Sequence, residues 1–110
     1  MKSIILFEGK PNKTYRIAST DEAQGFTATH YTLDSKPAIG ALITCEDNDI
    51  RFTLGDSTPT QGAAGLGHIL YKGQSYQLVS SYAIRTFKFL NHTNSADAVI
   101  QVTFGFELGG

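Results

Sequence analysis

The stretch Ile50-Arg-Phe-Thr-Leu-Gly-Asp-Ser-Thr-Pro-Thr-Gln-Gly-Ala-Ala-Gly-Leu-Gly-His-Ile-Leu70 decides how the chain is read. Ile50, Phe52 and Leu54 recur at period two with Arg51 and Thr53 between them, the pattern of a strand with one dry face and one wet face. Pro59 and the glycines at 55, 62, 65 and 67 then exclude a regular element. Residues 55–67 are therefore expected to form a long loop, either a functional protrusion or a mobile tip. At His68 an apolar strand resumes, so the local reading is strand, loop, strand.

Working outward, the flanking segments repeat the theme. Ala38 to Cys45 places Ile39, Ala41, Ile43 and Cys45 in phase, and Glu46-Asp-Asn-Asp49 ends it as a turn. Beyond the loop, His68 to Tyr71 leads through Lys72-Gly73, a hairpin signal, into Ser75 to Val79. Ala83 to Leu90 and Ala98 to Phe106 read as two strands paired in a hairpin across Asn91 to Asp97. In the last of these Ala98, Ile100, Val102, Phe104 and Phe106 share a core face. In the other, Ile84 and Phe87 fall out of phase, which suggests a bulge.

The N-terminal half carries weaker signals. Ser3 to Phe7 is an apolar run that makes a short strand or arm, covered on both sides if ordered, and Gly9 to Asn12 closes it. Thr14 to Ser19 alternates as a strand, Thr20 to Gly25 is the best short helical turn, and Phe26 to Leu33 reads as an edge strand. The expected organisation is an N-terminal strand or arm at 1–12 and a single β domain over 13–110. With about seven or eight short strands and no long helix, the fold class is all-β: an antiparallel β-sandwich, jelly roll or small barrel.

Composition bounds the function. The 110 residues suffice for one core, and charged residues make up only 17% against 41% hydrophobic. Such sparse charge suits a surface that touches another protein. A net charge of −1 with scattered basic residues argues against nucleic-acid binding. One cysteine excludes an internal disulfide framework, and Cys45 reads as a buried, inert thiol. The apolar run before Glu8 is too short for a signal peptide, and no segment is long enough to span a membrane. A cytosolic site of synthesis or assembly follows as the expectation.

No constellation carries catalysis. Gly55-Asp56-Ser57 resembles the opening of serine esterases, but the Asp-x-x-His pair that would activate the serine is missing. Gly62-Ala-Ala-Gly-Leu-Gly67 lacks the helix and acidic residue of a dinucleotide loop. His30, His68 and His92 show no metal-ligand spacing, and Asn12-Lys-Thr14 and Asn91-His-Thr93 are read as turns. No catalytic residue, metal or cofactor is expected. Among the tyrosines, Tyr76 reads as core beside Leu78, while Tyr71 and Tyr82 are the candidates for stacking on a sugar.

Ile50-Arg-Phe-Thr-Leu-Gly-Asp-Ser-Thr-Pro-Thr, Gly67-His-Ile-Leu, Gly73-Gln-Ser-Tyr-Gln-Leu, Ala83-Ile-Arg-Thr-Phe-Lys-Phe and Ala98-Val-Ile-Gln-Val-Thr-Phe together resemble small structural proteins of tailed bacteriophages and prophages. The resemblance implies a non-enzymatic virion component, assembled in the host cytoplasm. The expected role is a capsid cement or decoration protein that bridges subunits of the major capsid protein or other virion proteins and self-associates as a homo-oligomer. No nucleic-acid or membrane partner is implied. On that reading Ile4, Ile5, Leu6 and Phe7 of the arm and Thr58, Pro59, Thr60 and Gln61 of the loop are the candidate protein contacts. The alternative is a glycan- or receptor-binding module, in a head fibre or tail, acting through Tyr71 and Tyr82.

Overall fold

The computed structural model describes residues 10–107, so Ile4, Ile5, Leu6 and Phe7 of the expected arm lie outside the described residues. In chain order the elements are β1 (Lys10–Ala18), β2 (Gln24–Gly25), β3 (Thr32–Leu33), β4 (Lys36–Pro37), β5 (Gly40–Glu46), β6 (Ile50–Thr53), β7 (His68–Leu70), β8 (Ser75–Leu78), α1 (Ser81–Thr86), β9 (Lys88–Asn91) and β10 (Val99–Phe106). Two four-stranded sheets form, in the orders β1-β10-β5-β8 and β2-β9-β6-β7, and every pairing is antiparallel.

The pairings follow one rule: β1 meets β10, β2 meets β9, β5 meets β8 and β6 meets β7. The chain is thus a single antiparallel ribbon doubled on itself, which crosses from one sheet to the other at each step. Contacts of β5 with β10 and β6 with β9 complete the sheets. This connectivity is a jelly roll, and the protein is an all-β antiparallel sandwich.

Alternation in β10 explains why the sheets pack. Ala98, Ile100, Val102 and Phe104 are fully buried, and they meet Ala41, Ile43 and Cys45 of β5 on the same inward face. From the second sheet Ile50, Phe52, Leu70 and Phe89 close the core. Between the layers runs a chain of rings: Phe52 lies 5.3 Å from Phe87, Phe87 stacks on Phe26 at 4.8 Å, and Phe26 meets Phe104 edge-on at 5.2 Å. Offset and edge-to-face pairs of this kind are favoured by the ring quadrupole and add to the area they bury.

Several local expectations are overturned. Ala83 to Leu90 is not one strand: α1 occupies 81–86, capped by the Ser80 hydroxyl, which accepts from the Ala83 amide at 3.1 Å. The apparent phase break is the helical spacing of Ile84 and Phe87, both buried, rather than a bulge. Nor do β9 and β10 form a hairpin, because they belong to different sheets, and the same holds for β7 and β8. The tight turns at Tyr71 to Gln74 and Asn91 to Asp97 carry the ribbon between layers. Thr20 to Gly25 is no helical turn; the Thr20 hydroxyl accepts from the Glu22 amide at 3.1 Å, and β2 follows directly. Phe26 to Leu33 is a turn over most of its length, and only Thr32 and Leu33 pair, with β4 across Asp34 and Ser35, both at positive φ. Residues 10–12, expected as a turn, begin β1, which carries a bulge between Pro11 and Thr14.

Candidate functional site

Arg51 and Thr53 point away from the core, yet both are buried, at 6% and 5% exposure. The expected wet face of β6 is covered because residues 55–67 fold back over it. Arg51 Nη1 donates to the Gly67 carbonyl at 2.6 Å and Nη2 to the Gly62 carbonyl at 2.8 Å, while the Thr53 hydroxyl donates to the Ser57 carbonyl at 2.8 Å. A guanidinium suits this task because its planar fork reaches two carbonyls at once. The loop is therefore packed against the sheet instead of projecting from it.

Glycine makes the close approach possible. A Cβ at Gly65 would overlap the Thr60 carbonyl oxygen, and one at Gly67, where φ is +119°, would lie 2.7 Å from the Phe52 carbonyl oxygen. Gly62 to Gly67 thus serves backbone packing, with the Gly62 carbonyl turned toward Arg51.

At one end of the sandwich the connections are tied together. Asn91, fully buried, donates from Nδ2 to Asp21 Oδ1 at 3.0 Å and to Asp97 Oδ1 at 2.7 Å, and its Oδ1 accepts from the Ala98 amide at 3.1 Å. Gln61 Nε2 donates to Asp21 Oδ1 at 2.9 Å and to the Asn91 carbonyl at 3.1 Å. The Ser95 amide donates to Asp21 Oδ1 at 2.9 Å, and this bond, with those from Asn91 and Gln61, holds the Asp21 carboxyl below its ordinary 3.8. One carboxylate thereby joins the β1–β2 turn, the 55–67 loop and the β9–β10 connection.

The candidate contacts of the loop fall into two kinds. Thr58 and Thr60 are exposed, whereas Pro59 is buried and Gln61 is committed to Asp21 and Asn91. Tyr71 and Tyr82 are exposed at 51% and 52%. Tyr71 lies in the β7–β8 turn and Tyr82 in α1, where Arg85 stands 5.3 Å over its ring. Cys45 is buried, with its thiol donating to the Asn48 carbonyl at 3.1 Å. Burial, then the charge of Asp49, pushes that thiol up to about 11. Among the described residues no three His, Cys, Asp or Glu gather where they could hold a metal ion. His30 stacks on Tyr15 at 3.8 Å, and His68 belongs to the edge of the second sheet.

Two surface features were not legible in the sequence. The first is the outer face of the β1-β10-β5-β8 sheet, crossed by the rows Thr14–Thr103–Leu42–Gln77 and Arg16–Gln101–Thr44–Ser75. Hydroxyl pairs span neighbouring strands, Thr14 with Thr103 at 2.6 Å and Thr44 with Ser75 at 2.9 Å. The second is a cleft of about 290 Å³ between the edges β7 and β8, floored by Phe52. Tyr76, expected in the core, forms one wall of this cleft at 37% exposure: β8 is the edge strand of its sheet, so the ring packs against Phe52 of the opposite layer on one side only and stays open on the other.

Fold and surface define an all-β jelly-roll sandwich with a latched loop and a low-charge sheet face. In comparisons with protein-family models, curated proteins and solved structures, no match was found.

Proposed function

We propose that this chain is a non-enzymatic structural protein of a tailed-bacteriophage particle, a capsid cement or decoration protein that bridges neighbouring shell subunits. The observation that carries the reading is the outer face of the β1-β10-β5-β8 sheet, where Arg16 is the one charged side chain in the two rows of four. Beside those rows Glu46 accepts from Gln101 Nε2 at 3.5 Å, so the charges sit toward one end of the face, and its Thr, Ser, Gln and Leu side chains can be covered by a partner with little cost in desolvated charge. Three strand spacings by about seven residues give roughly 300 Å² in projection, well short of the ~800 Å² per partner of a standard stable complex. A contact of this size is weak alone and effective only when repeated, which is how a cement protein works on a symmetric shell.

The test is mass spectrometry of purified phage particles from the source strain, combined with loading of recombinant protein onto particles that lack it. Wild-type chain should appear at a copy number comparable to the major shell protein. Thr103→Lys, which sets a charge in the middle of the face at the cost of the hydroxyl bond to Thr14, should keep the circular dichroism spectrum and a cooperative melt and lose loading at least tenfold. Absence of the chain from particles, or undiminished loading of the folded variant, would overturn the proposal.

A further inference from the structure

The cleft between β7 and β8 has a chemistry that the assembly role does not use. Phe52, only 3% exposed, forms its floor. The ring of Tyr76 stands 4.9 Å from Phe52 at an interplanar angle of 46°, and that of His68 stands 5.4 Å away at 41°. The two rings come from opposite sheets, and both line the opening above the Phe52 ring. Gln74 and Ser75 line the same opening. Gln74 Oε1 accepts from the Tyr71 amide at 2.9 Å, which fixes the side chain and leaves its Nε2 amino group as a donor.

These features select a ligand class. Among the described residues no Asp, Glu, Lys or Arg lines the cleft, so it offers nothing to neutralise an anion or a cation. Its volume of about 290 Å³ is at the lower end for a small-molecule site and accommodates one ring with its substituents. Aromatic walls call for an apolar face on that ring, while the Gln74 amide, the His68 imidazole and the Tyr76 hydroxyl call for several hydroxyls around its edge. A neutral molecule with an apolar face and a rim of hydroxyls is a pyranose. We infer that the Phe52–His68–Tyr76 cleft is a binding subsite for a neutral pyranose residue of a glycan. This places sugar binding away from the exposed Tyr71 and Tyr82, and it is independent of particle attachment.

The test is a two-dimensional amide NMR titration of the full chain with methyl α-glucopyranoside, methyl β-galactopyranoside and N-acetylglucosamine in turn. At least one should shift the amides of His68, Gln74 and Tyr76 saturably, with a Kd on the order of 1–10 mM, as expected for a dozen or so ligand atoms. Tyr76→Ala and His68→Ala should weaken that binding at least tenfold, Tyr76→Phe by a few-fold, and Tyr71→Ala not at all. His68 is exposed, so its variant keeps the test valid if loss of the Tyr76 ring disturbs the Phe52 packing. The inference is overturned if none of the three sugars shifts the cleft amides, if benzyl alcohol occupies the cleft and the sugars do not, or if Tyr71→Ala abolishes binding while His68→Ala leaves it intact.

Discussion

Arg51 shows how a single side chain changes the meaning of a strand. By alternation it belongs to a wet face, and its charge supports that reading. In the folded chain it is buried without a carboxylate partner among the described residues, held by the Gly67 and Gly62 carbonyls at 2.6 Å and 2.8 Å. Hydrogen bonds to a charged donor contribute more than neutral ones, roughly 1.5–3 kcal/mol each before desolvation is subtracted. Arg51→Leu keeps apolar volume and removes both bonds, so urea denaturation should show a loss of about 2 kcal/mol. Arg51→Lys should recover less than half, because one ammonium cannot span two carbonyls that a guanidinium fork reaches together. A loss under about 0.5 kcal/mol for Arg51→Leu, the range of ordinary surface changes, would mean that the loop holds itself in place. The sequence shows an arginine a few residues before a glycine-rich stretch, but nothing in the spacing said that the loop would turn back onto its own strand.

At the scale of elements, the glycine-rich loop and the short helix carry the lesson. Glycines forbid a regular element, which was legible, but the same glycines permit either a free tip or a backbone packed tightly on a sheet. Their positions in space distinguish the two. Gly67 combines a φ of +119° with a Cβ position 2.7 Å from the Phe52 carbonyl, whereas Gly62, at φ +91°, has open space around it. Gly67→Ala should therefore cost about 1–3 kcal/mol, combining backbone strain with overlap. Gly62→Ala should cost only the strain, about 1–2 kcal/mol. Because Gly67 carries the overlap in addition to the strain, its variant should lose about 1 kcal/mol more than Gly62→Ala; thermal melts of the two variants side by side test this, and equal losses would contradict a packed loop. In α1, a Ser cap and an apolar pair three apart are the whole helical signal, and both are compatible with a bulged strand. Tertiary packing of Ile84 and Phe87 into the core settles the choice.

At the scale of the whole molecule, the jelly roll brings distant connections to one end, where Asp21 accepts hydrogen bonds from Gln61, Asn91 and Ser95. A carboxyl held below 3.8 in the folded state favours folding above that pH, and the benefit fades as pH falls through the lower folded value. Stability of the wild-type chain should thus decline below pH 3.8, and Asp21→Asn should show a shallower decline over the same window. Urea midpoints measured across that range check it; parallel curves for the two proteins would mean that another group drives the acid transition. The sequence by itself determined the all-β class, the core faces of β5, β6 and β10, and the position of the long loop, because period-two alternation and glycine are local signals. Only the tertiary structure decided which strands share a sheet, that the 55–67 loop is latched, and that Phe52, His68 and Tyr76 meet in one cleft. Alternation says which face of a strand is buried but carries no information about which of two sheets the strand joins, and in a ribbon that changes layer at every step that choice places every surface the protein can use.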